Sequence, residues 1–197
     1  RGYYFRLDTL SKMYLLSTIN FQNGDTVIDC GANIGEIKLL LDNLNKKIDY
    51  YAFEPGDKEF KCLKKNLTNG KLYNYGLWYK KTYIRFYEKT DTADSSFIKN
   101  ENFEKVSKKK VIRLDDLKFK KIKLLKVEAE GAEPEVLLGT TKILKKIEFI
   151  TVDCGPERGL KLEKTDKTVI KFLESHKFNL VKRSKMRDVY LFKNSNY

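Results

Sequence analysis

The sequence predicts an α/β fold: a mostly parallel sheet of seven strands, helices on both faces and an antiparallel hairpin at its C-terminal edge. Three observations predict it. Thr26-Val27-Ile28-Asp29-Cys30 is an apolar strand that ends in a glycine turn, Gly31-Ala32-Asn33-Ile34-Gly35, opening a helix. Strand and helix patterns then alternate in the βαβ rhythm of a parallel sheet. Last, two apolar runs near the C-terminus are joined by the short link Ser184–Arg187, as in a hairpin.

Each element follows from its residues. Residues 3–22 form an aromatic-rich opening, with Tyr3, Tyr4, Phe5 and Tyr14 around a helix starting near Asp8. The core runs through strand 26–30, helix 34–44, strand 48–53, helix 57–67 and a short strand near 72–75. Gly31 permits a sharp turn, and Gly35 is expected to let the helix pack closely on the sheet. Residues 77–117 interrupt the alternation: 83–87 and 111–114 look like strands, and between them a polar segment holds Asp91, Asp94, Ser95 and Ser96. An insertion of this length in a compact domain is expected to cover a site. The core resumes with strand 122–127, helix 133–146 entered through Glu133-Pro134, strand 147–153, helix 165–177, and the pair 178–183 with 188–193. Pro134 suits a first helical turn, where a missing N–H costs little.

A dinucleotide fingerprint has three glycines and seats a pyrophosphate on a helix N-terminus. Here the loop is G-x-x-x-G with Asp29 before it, and that carboxylate would repel a pyrophosphate. It suits a cation, such as the amino group in the methionine part of S-adenosylmethionine (SAM). The next strand closes on Glu54-Pro55-Gly56, roughly 20 residues beyond the loop, where an acid accepts hydrogen bonds from ribose hydroxyls.

The sequence resembles the FkbM-type methyltransferases, a family of Rossmann-like class I SAM-dependent enzymes. The resemblance rests on VIDCGANIGE at 27–36, AFEP at 52–55, SSF at 95–97, VIRLDDL at 111–117, LLKVEAEGAEPEVLLG at 124–139 and VDCGPERG at 152–159. Glu128 stands where the family usually has Asp. The resemblance implies SAM as cofactor, S-adenosylhomocysteine (SAH) as product, and a cofactor site at Asp29, Gly31, Ala32, Asn33, Gly35, Glu54, Pro55, Gly76 and Leu77. It also implies a sugar hydroxyl of a glycan, glycolipid or glycosylated natural product as acceptor, and fusion to or association with a glycosyltransferase. Glu130 is then the first candidate base, with Asp153 second and Glu128 beside them. Ser95, Ser96, Phe97, Trp78 and Arg158 are the substrate candidates. Glu128, Glu133 and Asp153 also form a weak candidate site for a divalent cation, since carboxylate oxygens suit Mg²⁺ or Ca²⁺.

The 197 residues suit one domain, and 41% hydrophobic content is ordinary for a globular chain. Net charge is +13, which raises an anionic partner. Only seven of the 40 basic residues are arginine, and the lysines are spread along the chain, so nucleic acid is not the expected partner. No base-clamp motif or RNP-like aromatic strand stands out. An RNA methyltransferase and a non-catalytic SAM-binding domain remain the alternatives. Cys30, Cys62 and Cys154 are odd in number and lack metal-ligand spacing, as expected of a reduced compartment. There is no apolar run long enough to span a bilayer and no signal-peptide pattern, so a cytoplasmic location is expected. A first residue Arg1 in place of Met suggests a domain cut from a longer polypeptide.

Overall fold

A computed structural model describes residues 2–89, 94–101 and 103–197. Asp91, named above in the insertion, lies outside them. The elements are α1 (Tyr3–Met13), β1 (Thr26–Cys30), α2 (Glu36–Asp42), β2 (Asp49–Phe53), α3 (Asp57–Asn66), β3 (Lys71–Tyr73), β4 (Gly76–Leu77), β5 (Thr82–Glu88), β6 (Lys105–Ile112), β7 (Ile122–Val127), α4 (Glu133–Leu138), β8 (Ile147–Asp153), α5 (Asp166–Ser175), β9 (Phe178–Arg183) and β10 (Val189–Asn194).

Seven strands form one sheet in the order β3-β2-β1-β7-β8-β10-β9. The first five pair in parallel, and β10 runs antiparallel to both β8 and β9. Strand order reverses between β1 and β7, so the carboxyl ends of these two strands form the crevice where open α/β sheets bind ligands. Core residues Ile28, Leu125, Ile150 and Phe192 pack under α4 and α5, together with Leu77 and Leu114 of the insertion and Phe119 just after it. On the opposite face Val27, Tyr50, Leu124 and Leu191 meet Leu7 and Leu10 of α1, Ile37 and Leu41 of α2, and Leu63 of α3. The insertion builds a second, three-stranded sheet in the order β4-β6-β5.

Four departures from the sequence expectation have a clear physical cause. α1 begins at Tyr3, five residues before Asp8, because buried Leu7 and Leu10 and the Arg6–Glu36 ion pair at 2.7 Å hold a first turn that has no acidic residue of its own. The helix expected over 133–146 stops at Leu138, where the Thr140 and Thr141 hydroxyls donate to the Leu137 and Leu138 carbonyls and compete with continued helix. β6 extends over a lysine-rich stretch of poor strand propensity, because seven consecutive pairings with β5 decide it. Gly35 makes its close approach to α3 and not to the sheet: a Cβ there would lie 2.9 Å from the Leu63 side chain.

Candidate active site

The glycine loop is fixed from three sides. Gly31 and Ala32 N–H groups donate to the Phe53 carbonyl at 3.0 and 3.1 Å, tying the loop to the end of β2. The Lys126 ammonium donates to the Gly31 carbonyl at 2.7 Å. Gly31 has φ +76°, and a Cβ on it would sit 2.0 Å from the Glu128 carbonyl, so only glycine fits. Glu54 accepts from the Asn33 N–H at 2.8 Å and the Gly56 N–H at 2.7 Å. Its burial outweighs those two bonds and raises the carboxyl to about 7.

A row of polar groups runs across the buried face of the sheet. Asp29, Lys126 and Thr151 are register neighbours on β1, β7 and β8. Lys126 Nζ lies 3.0 Å from Asp29 Oδ1 and 2.9 Å from Glu128 Oε2, while the Tyr50 hydroxyl donates to Asp29 at 2.5 Å. Burial opposes the ammonium charge, but Asp29 and Glu128 outweigh it and hold the Lys126 pKa well above its ordinary value. Tyr14, at the end of α1, docks on this row: its carbonyl accepts from Thr151 at 2.9 Å and its hydroxyl donates to Glu128 at 2.6 Å. Burial also opposes ionisation of Glu128, yet Lys126, Tyr14 and Arg187 together keep its pKa below the usual carboxylate range.

These elements enclose a cavity of about 260 Å³ at the carboxyl ends of β1, β2 and β7. Of the expected residues, Gly31, Ala32, Asn33, Glu54, Pro55, Gly76, Leu77, Ser95, Ser96, Phe97, Glu128 and Glu130 line it. Asp29 does not: it is fully buried behind the loop and paired with Lys126. Asp153 is likewise fully buried, paired with Arg187 at 2.6 Å and accepting from the Gly155 N–H. Trp78 is buried against Phe97 outside the cavity, and Arg158 is held by Glu135 and the Gly131 carbonyl. Ser96 uses its hydroxyl inside the fold, donating to the Glu130 carbonyl at 2.7 Å and accepting from the Ile98 N–H, and Ser95 accepts from the Lys89 N–H. Tyr3, Tyr4 and Phe5 are exposed, and α1 contributes Arg6, Leu10, Met13 and Tyr14 to the lining instead.

The three carboxylates weighed as a cation site are engaged separately. Glu128 meets Lys126 and Tyr14, Asp153 meets Arg187, and Glu133 accepts from the Ala129 and Gly131 N–H groups and the Thr165 hydroxyl. Among the described residues no group of acids, histidines or cysteines is arranged to hold a metal ion.

Glu130 differs from these acids. It sits on a left-handed residue, φ +49°, and burial together with Glu157, Glu128, Asp94 and Glu133 raises its carboxyl to about 9. Lys126 and Arg187 were not singled out in the sequence, and Tyr14 only as one aromatic of the opening segment. Lys126 left a signal there: it is the lone charge inside the apolar run Leu124-Leu125-Lys126-Val127, and such a lysine needs a buried counter-ion. Tyr14 and Arg187 left none, since their partners lie 114 and 34 residues away in the chain.

The residues present fit SAM. The loop backbone and Glu54 suit a ribose, Phe53, Leu77 and Phe97 offer apolar surface to a purine, and Glu128 and Glu130 face a space suited to a sulfonium. The comparisons agree. The Methyltransferase FkbM domain model matches residues 29–180. Among solved structures, methyltransferase FkbM from Methylobacillus flagellatus KT superposes with a TM-score of 0.65 at 18% identity, covering 98% of this chain and 48% of that one. The chain therefore spans about half the length of that structure. A protein described as a putative rRNA-methylase from Clostridium thermocellum gives 0.55 at 14% identity, covering 98% of this chain and 96% of its own. TrmK from M. capricolum, in complex with SAH, gives 0.53 at 15% identity, with coverages of 98% and 68%. At these identities the likeness is one of fold, and no curated protein matches the sequence. With a family model matched over most of its length, a class I fold and a site suited to SAM, the chain belongs to the FkbM family of SAM-dependent methyltransferases.

Proposed function

We propose that this domain transfers the methyl group of SAM to a hydroxyl of a sugar within a glycan, glycolipid or glycosylated natural product. The observation that carries the reading is the character of the cavity lining: Asp94, Glu128 and Glu130 stand there with the Phe97 ring, and the cations that also line it, Arg6, Lys126 and Arg187, are each paired with a carboxylate. Carboxylates repel a phosphate at the reacting position but tolerate a neutral ring, whose apolar face packs on an aromatic.

SAM supplies a methyl group on a cationic sulfur. The chain's part is to place an acceptor oxygen in line with it and to take the hydroxyl proton. Glu130 is the proton acceptor in this reading, because it lines the cavity and its raised pKa makes it a strong base once ionised. Glu128, held ionised by Lys126 and Arg187, faces the donor's positive charge. Lys126 and Tyr14 position Glu128, and Glu54 orients the ribose. The segment 94–97, joined to the Glu130 loop through Ser96, acts as part of a cover over the cleft. Within a longer polypeptide such a domain works beside a glycosyltransferase in the cytoplasm. No helix among the described residues is long and apolar enough to cross a membrane.

Incubating the protein with isotopically labelled SAM and either a tagged sugar panel or total RNA tests the reading. Mass spectrometry is expected to find one added methyl on a sugar, recovered as an O-methyl ether after hydrolysis. Label confined to RNA would refute the acceptor class while leaving the fold intact.

A further inference from the structure

Strand pairing gathers on one face what the sequence scatters. The register sets Tyr83 opposite Lys110, Arg85 opposite Lys108 and Tyr87 opposite Val106. Successive side chains point to opposite faces of a sheet. Thr82, Ile84 and Phe86 therefore share the inner face, where Phe86 is buried in the cavity wall. Tyr83, Arg85, Tyr87, Val106, Lys108 and Lys110 share the outer one. Tyr83 is 67% exposed, and Arg85 and Lys108 are also exposed.

The charges on the two faces are treated differently. Lys109 and Lys105, on the inner register, reach Asp57 at 2.7 Å and Glu88 at 4.0 Å. Among the described residues no carboxylate pairs with Arg85, Lys108 or Lys110. Like charges directly opposite each other in an antiparallel pair are destabilising, and here Arg85 faces Lys108 without a counter-ion. Lys110 lies over the Tyr75 ring at 4.8 Å. The edge of β5 meets the cavity lining: Tyr87 exchanges backbone hydrogen bonds with Ser96 at 2.8 and 3.0 Å, and Ser96 and Phe97 line the cleft.

We infer that this face holds the distal part of an anionic glycan acceptor, its rings against Tyr83 and Tyr87 and its carboxylate, sulfate or phosphate groups against Arg85, Lys108 and Lys110. The inference rests on the sugar-hydroxyl reading above and narrows it: the unit entering the cavity is neutral, and the units outside carry the charge. Nucleic acid fits the whole surface less well. Every nucleotide carries a phosphate, including the one that would react, and the cavity is lined by Asp94, Glu128 and Glu130 while its Arg6, Lys126 and Arg187 are engaged in ion pairs.

The test titrates the SAH-bound domain with a heparin-derived octasaccharide, neutral maltooctaose and an oligouridylate of equal length, at low and at raised salt. The sulfated sugar is expected to bind with strong salt dependence, maltooctaose weakly, and the RNA less tightly than the sulfated sugar. The double variant Arg85→Glu, Lys108→Glu should weaken that binding about tenfold or more and leave SAH affinity unchanged. Arg85→Glu alone should raise the melting temperature, because an opposite-charge pair with Lys108 replaces a like-charge one. Wild-type binding by the double variant, no binding of the sulfated sugar, or tighter binding of the oligouridylate would overturn the inference. Equal methylation of a glycan carrying sulfate or carboxylate groups by wild type and double variant would overturn it too, and would leave the sugar reading standing. Methylation of RNA alone removes both.

Discussion

Lys126→Met removes the ammonium that holds the polar row together. In the wild type Nζ lies 3.0 Å from Asp29, 2.9 Å from Glu128 and 2.7 Å from the Gly31 carbonyl, and the side chain is 2% exposed. Methionine fills a similar volume, so packing changes little and the electrostatic loss dominates. Breaking a buried ion pair from one side costs about 3–5 kcal/mol, because the remaining charge stays buried without a partner. For a chain of this size that is a fall in melting temperature of about 6–20 °C. Two further readouts separate this cause from a packing defect. Deprived of their cation, Asp29, whose pKa burial already raises, rises further, and Glu128 loses what holds its pKa below the usual range. The folded state then binds protons more tightly than the unfolded one, so lowering the pH should restore part of the lost stability. Adding Asp29→Asn should also recover about 2 kcal/mol, since a neutral amide needs no counter-ion. Urea melts at neutral and mildly acidic pH measure all three. A Lys126→Met protein within about 1 kcal/mol of wild type at neutral pH, or one that acid does not help, would refute the assignment of the row as a charge-balanced unit.

Other outcomes follow from the same geometry. Glu54→Gln should weaken SAM binding about tenfold at pH 8, where the wild-type carboxylate is ionised, as isothermal calorimetry would measure. Wild-type affinity should fall as pH drops below about 7, because ribose hydroxyls bond best to the ionised acid. Buried Glu54 and Glu133, both raised to about 7, bind protons more tightly folded than unfolded. Their contribution to the stability of the cofactor-free protein is therefore full below about 4.5 and lost as pH rises through about 7, by about 3 kcal/mol for Glu54, which thermal melts across that range would detect. Glu130→Gln should lower turnover about a hundredfold with little change in SAM affinity, and should abolish a rise in rate with pH whose midpoint lies at or below about 9. Gly31→Ala should cost more than about 2 kcal/mol and remove SAM binding, since its Cβ collides with the Glu128 carbonyl.

The sequence by itself determined the parts whose cause is local. Apolar runs of strand length, the glycine turn and the alternation with helices prescribe the seven-stranded sheet, its parallel core and its C-terminal hairpin. They also place Gly31, Asn33, Glu54 and Glu130 at strand ends, because each follows directly on the run that forms its strand. The tertiary structure decided what depends on partners distant in the chain. Asp29 and Glu128 look alike in the sequence as acids at strand ends. One is buried behind the loop and the other faces the cavity, and Lys126 between them is the cation both are paired with. Ser95 and Ser96 read as free hydroxyls until the bridge between Ser96 and Tyr87 puts them to use inside the fold. The lysines of β6 read as a scattered, solvated charge until register with β5 aligns Lys108 and Lys110 beside tyrosines on one face. Side-chain period and apolar content are written residue by residue, whereas counter-ions and cross-strand neighbours exist only once the sheet has closed.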